Sequence, residues 1–283
     1  MPPRWRASFK ATELFSVEIQ FALPKKYWTS HMVVASSRRV AVVTGAAGSI
    51  GRGIVAMLAK AGFAIMLIGR TRQTLEAIVA STQGLDDSRV IIEVCDVRRA
   101  EDLERAASVA NSRWGKIDVL CTAAGVMHVG ALDEISEAIW HQLIDTNVLG
   151  TAMAIRAFLS LMPADARIVT IASTAGARPI PRFAAYSTTK AAIIHLTQAA
   201  ALDYADRGIR VNCICLGAIN PEFRDKEHEM EGAMLRDQLI AATPLGYLGT
   251  STDVAHLVSF LVDRTSHWIT GSVLVADGGL SLV

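Results

Sequence analysis

Tyr186 and Lys190 stand four residues apart at the start of a strongly helical stretch, so their side chains share one helix face. A phenol ordinarily keeps its proton to about pH 10, too high for a base working near neutrality. An ammonium within a few ångströms, joined by the positive ring of an oxidised nicotinamide, favours the phenolate and lowers that value. Such a pair can pass a proton to or from an alcohol oxygen while hydride moves on carbon. Taken alone, Tyr-x-x-x-Lys is common and is ordinarily an exposed pair on a helix. Two further residues remove the isolation. Ser173 precedes Tyr186 by thirteen positions, at the end of an apolar run, and Asn147 lies in Asp145-Thr146-Asn147-Val148, inside an earlier helical pattern. Both fall at the carboxyl edge of the sheet, where α/β folds bind their ligands.

A second constellation suits a nucleotide. An apolar run leads directly into Thr44-Gly45-Ala46-Ala47-Gly48-Ser49-Ile50-Gly51, and a helical pattern follows. A glycine-rich turn of this kind brings backbone N–H groups close to a diphosphate, and the helix N-terminus adds its partial positive charge. At the end of the second strand, dinucleotide folds usually place an acid on the adenosine ribose. Here that strand ends in Gly69-Arg70. Arg70, with Arg52 as a second partner, suits a 2′-phosphate, which predicts NADP(H) in preference to NAD(H). An arginine stacked on the adenine face would accept either cofactor.

The elements that must hold these residues alternate along the chain. Runs at 40–43, 63–68, 90–94, 117–121, 167–171, 211–215 and 272–275 are rich in Val and Ile and read as strands. Their continuous apolar character suits a parallel sheet covered on both faces. Helical patterns lie between them at 50–60, 75–81, 100–112, 135–161, 184–206 and 252–262. The fold expected is α/β: a doubly wound, mostly parallel seven-stranded sheet with helices on both faces, that is, a Rossmann fold.

Composition sets bounds on function. The 283 residues are 51% hydrophobic and 19% charged with a formal net charge of +1, which suits one large globular domain and argues against a nucleic-acid partner. No apolar run reaches the roughly 20 residues that span a bilayer. The four cysteines, Cys95, Cys121, Cys213 and Cys215, sit in or beside strand-like segments and read as reduced core thiols of a cytoplasmic protein, with no metal site expected. Residues 1–37 lack periodicity and read as a disordered or loosely docked extension, with Met32 a candidate biological start. Residues 38–283 read as the oxidoreductase domain.

Together, the order and spacing of these motifs resemble the short-chain dehydrogenase/reductase family, in its single-domain branch, from about Arg38 to the C-terminus. The resemblance implies that Tyr186 is the general acid/base. Lys190 would lower its pKa and bind the nicotinamide ribose, Ser173 would hydrogen-bond the substrate oxygen, and Asn147 would hold a water relaying protons towards Lys190. Gly45, Gly48, Ser49, Ile50 and Gly51 would form the nucleotide loop. Asp96-Val97 would meet the adenine, Ala124-Gly125 would follow the fourth strand, Gly217 and Ile219 would follow the sixth, and Asp277-Gly278-Gly279 fits the last strand's signature. Five positions depart from the family pattern: Ser49 replaces the middle glycine, Thr122 and Ala123 replace two asparagines, Leu216 replaces a proline, and Pro221 stands where a threonine often does.

The resemblance also implies a mobile substrate lid at about 221–245, where Met230 and Met234 lie among charges. Met127, His128, Thr174, Arg178, Phe183, Ala218 and Phe223 are the expected pocket liners. Arg178 and Arg182 could meet an acidic substrate, although loop arginines are usually only solvated. A homotetramer or homodimer is expected, through the two long helices and the C-terminal strand. The reaction implied is interconversion of a small-molecule ketone and a secondary alcohol, with a 3-oxoacyl thioester or a polyol-like molecule as substrate. The alternative is a nucleotide-binding sensor or scaffold that has lost its redox activity.

Overall fold

The computed structural model describes residues 38–220 and 229–283, the side chains of residues 229–235 excepted. The expectations for residues 1–37, Met32, Pro221 and Phe223, and for the side chains of Met230 and Met234, lie outside the described residues. The elements run β1 (Val40–Thr44), α1 (Ser49–Lys60), β2 (Ala64–Gly69), α2 (Arg72–Ser81), β3 (Val90–Val94), α3 (Ala100–Trp114), β4 (Val119–Thr122), α4 (Glu137–Leu143), a π-helical turn (Ile144–Leu149) and α5 (Gly150–Phe158). They continue with β5 (Arg167–Ser173), α6 (Thr174–Ala177), α7 (Ala184–Asp203), β6 (Arg210–Leu216), α8 (Glu229–Ala242), α9 (Ser251–Val262) and β7 (Val273–Ala276).

The strands form one seven-stranded sheet in the order β3-β2-β1-β4-β5-β6-β7, and every pairing is parallel. β1, β2, β4 and β6 are buried along their whole length, which is why their sequences run apolar without alternation. Each face carries its own core. Leu103, Ile155 and Phe158 from α3 and α5 pack on one side; Ile54, Leu58 and Leu261 from α1 and α9 pack on the other. All four cysteines are buried free thiols within this interior, and no described helix is long and apolar enough to cross a membrane.

Chain order reverses between β1 and β4, which are neighbours although β2 and β3 separate them in sequence. That reversal opens a crevice at the carboxyl ends of the strands. The glycine-rich loop leaves β1 on one side of it, and the segment after β4 forms the other.

Two helices differ from expectation. The pattern at 135–161 is not one helix: it breaks into α4, the π-helical turn, α5 and a short 3₁₀ turn, Leu159–Leu161. A π turn adds a residue to the helical repeat, which turns a side chain to a face where an unbroken helix would not place it. Here that side chain is Asn147, fully buried. The helix expected at 184–206 ends at Asp203, and a 3₁₀ turn follows at Ala205–Arg207.

Candidate active site

The nucleotide end begins where β1 stops. Gly45 adopts φ +65°, and a Cβ there would stand 2.6 Å from the Cα and N of Ala124, so the two sides of the crevice touch at this point. At Gly51 a Cβ would lie 2.2 Å from the Gly45 carbonyl oxygen, which binds α1 tightly to the turn. Gly48 differs: it is the exposed N-cap of α1, with φ −71° and no side-chain cap, and the first turn of α1 carries no acid. The helix end is therefore open, with its positive partial charge uncompensated. The buried hydroxyl of Ser49 beside it has no hydrogen-bond partner among the described residues. A glycine cradle, an uncapped helix end and an orphaned hydroxyl together fit a diphosphate. The cavity in front of them is about 220 Å³ and is lined by Gly45, Gly48, Arg70, Asp96, Val97 and Ala124, among others.

Arg52 does not join this cavity. Its Nε donates to the Ala47 carbonyl at 3.0 Å, and it lines a separate groove between α1 and α2. The helix turns it outward, so it does not stand with Arg70 as a 2′-phosphate partner. Arg98, which sequence reading passed over, does line the cavity. Its guanidinium holds the Asp96 carboxylate through Nε, 3.0 Å from both oxygens, and through Nη2 at 2.5 Å.

The catalytic end adjoins this cavity across Ala123, Gly125 and Val126, which line both spaces. A second cavity of about 220 Å³ gathers Ile50, Ser173, Tyr186, Lys190, Gly217 and Ile219, among others. Ser173 closes β5 and caps α6, accepting from the Ala175 N–H at 3.2 Å, and its hydroxyl lies close enough to the Tyr186 phenol to favour the phenolate. Lys190 is buried, 6% exposed. Its ammonium donates to the Ile171 carbonyl at 3.0 Å and lies 5.6 Å from the centre of the Tyr186 ring.

Electrostatics correct one expectation. Burial pushes the Tyr186 phenol above its ordinary pKa, and the nearby Ser173 hydroxyl only partly offsets this. Burial also pushes Lys190 down to about 8. In the protein alone, desolvation therefore outweighs the lowering expected for the tyrosine. Both groups are driven towards their neutral forms.

Asn147 is buried behind this pair. Its Oδ1 accepts from the Val126 N–H at 2.8 Å; its Nδ2 donates to the Val126 carbonyl at 2.9 Å and to Thr189 Oγ1 at 3.0 Å. Both amide hydrogens are spent within the protein. The amide ties the segment after β4 to α7 one residue before Lys190. Three contributors here escaped the sequence reading: Val126, Thr189 and Gly176. A Cβ on Gly176 would stand 2.5 Å from the Lys190 carbonyl carbon, so α6 and α7 cross at van der Waals contact beneath the lysine. The visible signals were a glycine three residues after Ser173 and a threonine three residues after Tyr186.

On the substrate side the pattern is mixed. Met127 lines the catalytic cavity and is 56% exposed. Phe183 stacks edge-on against Tyr186, with centroids 6.1 Å apart. His128 packs over Gly130, its Nε2 3.5 Å from where a Cβ would stand. Thr174 is not a pocket liner: it is buried, and its hydroxyl donates to the Leu216 carbonyl at 3.3 Å, joining the ends of β5 and β6. Ala218 accepts from the Gly249 N–H. Arg178 and Arg182 are occupied elsewhere. Arg178 donates to the Ser281 and Val283 carbonyls, and Arg182 pairs with Glu134 at 2.7 Å. Asp277 accepts from the Gly279 and Ser281 N–H groups and so shapes the turn after β7. Among the described residues no three potential metal ligands gather.

Comparison with known proteins agrees with this geometry. A family model described as enoyl-(acyl carrier protein) reductase matches residues 45–281. The human dehydrogenase/reductase SDR family member 4 is 32% identical over 251 residues, covering 86% of this chain and 87% of that protein. A 3-oxoacyl-[acyl-carrier-protein] reductase, FabG, of Staphylococcus aureus is 31% identical over 245 residues, covering 85% of this chain and 97% of that protein. Among solved structures, a short-chain dehydrogenase/reductase from Brucella melitensis superposes with a TM-score of 0.80 at 30% identity, covering 86% of this chain and 96% of that one. An actinorhodin polyketide ketoreductase with NADPH gives 0.80 at 27% identity, covering 87% and 98%. With the sheet order, the nucleotide crevice and these likenesses in hand, the chain belongs to the short-chain dehydrogenase/reductase family and is an NAD(P)-dependent oxidoreductase.

Proposed function

We propose that the protein reduces a ketone to a secondary alcohol, reversibly, with Tyr186 as the general acid/base. The observation that carries this reading is the meeting of Ser173, Tyr186 and Lys190 in one cavity that adjoins the nucleotide crevice. When bound, the nicotinamide supplies or accepts the hydride. The chain's own residues do the rest. Ser173 orients the substrate oxygen beside Tyr186, which lines the same cavity. Tyr186 gives its proton to that oxygen in reduction and takes it back in oxidation. Lys190 holds positive charge below the phenol and reaches towards the nicotinamide ribose, while Asn147 positions α7 through Thr189 and Val126. Gly45, Gly48, Ser49 and Gly51 cradle the diphosphate.

Arg70 at the end of β2, where no acid stands, supports NADP(H) over NAD(H). A 3-oxoacyl thioester is the first substrate to test, a polyol-like molecule the second. The likeness to the staphylococcal 3-oxoacyl reductase supports the former, and the likeness to the NADPH-bound polyketide ketoreductase supports the coenzyme. We infer assembly into a homotetramer or homodimer through the α4–α5 and α7 segments, which carry the exposed Leu149 and Leu202. The four free thiols suit the cytoplasm. The test is Tyr186→Phe, assayed by loss of NADPH absorbance with ketone panels and by nicotinamide fluorescence. Turnover should fall at least about a thousandfold with NADPH binding retained; undiminished turnover refutes the role of Tyr186. Binding without turnover in the unaltered protein would favour a sensor.

A further inference from the structure

We propose that Arg98 sets the coenzyme preference by covering Asp96, so that the charge of Arg70 meets the ribose end of the nucleotide unopposed. The inference rests on the NADP(H) reading above. It starts from a count of charges in one place: Arg70, Asp96 and Arg98 line the same cavity as Gly48. Two guanidiniums face one carboxylate there.

Arg98 compensates the charge of that carboxylate. Arg98 Nε lies 3.0 Å from each Asp96 oxygen, Nη2 lies 2.5 Å from Oδ2, and the Arg98 backbone N–H donates to Oδ1 at 3.1 Å. One residue thus supplies four contacts, in the forked geometry that suits a carboxylate best. Asp96 is itself anchored, since its backbone N–H donates to Asp102 Oδ2 at 3.0 Å, and Arg105 holds Asp102. The Asp96 carboxyl is held below its ordinary pKa by Arg98 first and, more weakly, by Arg70, so it stays ionised and within reach of both cations. Asp145, in the π-helical turn, is the other acid whose charge reaches Arg98.

Arg98 is therefore a specificity-determining residue that works through Asp96 rather than by contact with the coenzyme. With Arg98 in place the pair is neutral, and Arg70 alone gives the cavity its sign, which favours a 2′-phosphate. Without Arg98 the bare carboxylate cancels Arg70 and repels that phosphate. NADH carries no 2′-phosphate for that carboxylate to repel, so NADH loses nothing.

The test measures dissociation constants of NADPH and NADH by nicotinamide fluorescence, with competition by 2′,5′-ADP, in the intact protein and in R98A, R98A/D96N and R70A variants. R98A should weaken NADPH and 2′,5′-ADP about tenfold, as expected for one unmasked charge near the surface, with NADH unchanged or tighter. Adding D96N should return NADPH to within about threefold of its original affinity, because the unmasked charge is gone. An unchanged NADPH/NADH ratio in R98A overturns the proposal. So does a double variant as weak as R98A, which would make Arg98 a direct phosphate ligand. An unaltered protein that holds NADH as tightly as NADPH, or an R70A variant that loses both equally, removes the NADP(H) reading beneath the proposal. Those failures are read on different proteins from the R98A comparison, so the two are distinguishable.

Discussion

Replacing Lys190 by methionine is expected to stabilise the cofactor-free protein at neutral pH while it abolishes turnover. The lysine is 6% exposed, and its charge is compensated only by a 3.0 Å bond to the Ile171 carbonyl and the weak influence of the Cys213 and Cys215 thiols. Burial moves its pKa from 10.5 to about 8. At about 1.4 kcal/mol for each tenfold change in proton affinity, the charged ammonium costs the fold roughly 3 kcal/mol. Methionine fills a similar volume without charge. The lost bond to Ile171 takes back about 1 kcal/mol, leaving a net gain of about 1–2 kcal/mol at pH 7. The pH dependence has a definite sign. Below about 8 both folded and unfolded lysine carry the proton, so the full cost is present. Between about 8 and 10.5 the folded lysine gives up its proton while the unfolded one keeps it, so the wild-type protein gains stability as pH rises. The gap between variant and wild type should therefore be largest near pH 7 and shrink steadily towards about pH 9.5. Urea unfolding midpoints across that range measure it. A variant less stable than wild type at pH 7, or a gap that does not narrow, refutes the reasoning.

Gly176→Ala should destabilise the protein by about 1–3 kcal/mol, because the new methyl meets the Lys190 backbone rather than a flexible side chain; turnover should fall with it, read by melting temperature and kcat. Gly48→Ala is the contrast: with φ −71° and only the Gly45 carbonyl at 3.4 Å, it should leave the melting temperature of the free protein nearly unchanged. Asn147→Ala removes three hydrogen bonds, the one to Thr189 fully buried, and takes both Val126 backbone groups' bonds to the amide away, costing about 2–4 kcal/mol in denaturant unfolding, with kcat falling more than KM if Lys190 shifts.

The parts of the fold that the sequence carries openly are those whose residues answer to local rules. The strands were legible because burial on both faces leaves an unbroken apolar run, as in Val40–Thr44 and Ala64–Gly69. The π-helical turn was not, because helix-compatible residues run without a Gly or Pro break from Ile135 to Leu149, and an inserted residue leaves no mark in residue type. Ser173, Tyr186 and Lys190 were readable from spacing, since a strand end and a helix face fix where their side chains go. Arg52 was misplaced because its position after the loop does not say to which side of α1 it turns. Thr174 was misread for a similar reason: a residue next to Ser173 sits on the opposite side of the chain and finds Leu216 instead of the cavity. Gly176 and Thr189 stand near Ser173 and Tyr186, but what they meet, the Lys190 backbone and Asn147, lies 14 and 42 residues away, so their spacing alone did not say what they do.

The two pKa shifts bear on the direction of the proposed reaction. Burial raises Tyr186 and lowers Lys190, so the resting site holds a phenol that keeps its proton and an ammonium that holds its own loosely. A protonated phenol is the form needed to donate to a ketone oxygen, and a neutral reduced nicotinamide beside it leaves that preference intact. The reverse reaction needs a phenolate. The chain's own charges do not provide one at neutral pH, since the single cation below the ring is itself weakened by burial, so the extra positive charge of an oxidised nicotinamide must supply the remainder. Reduction should therefore proceed at neutral pH with little dependence on alkali, while oxidation should rise with pH until the phenol ionises. The asymmetry follows from desolvation of two groups, and it would disappear if the cavity around Tyr186 and Lys190 were open to water.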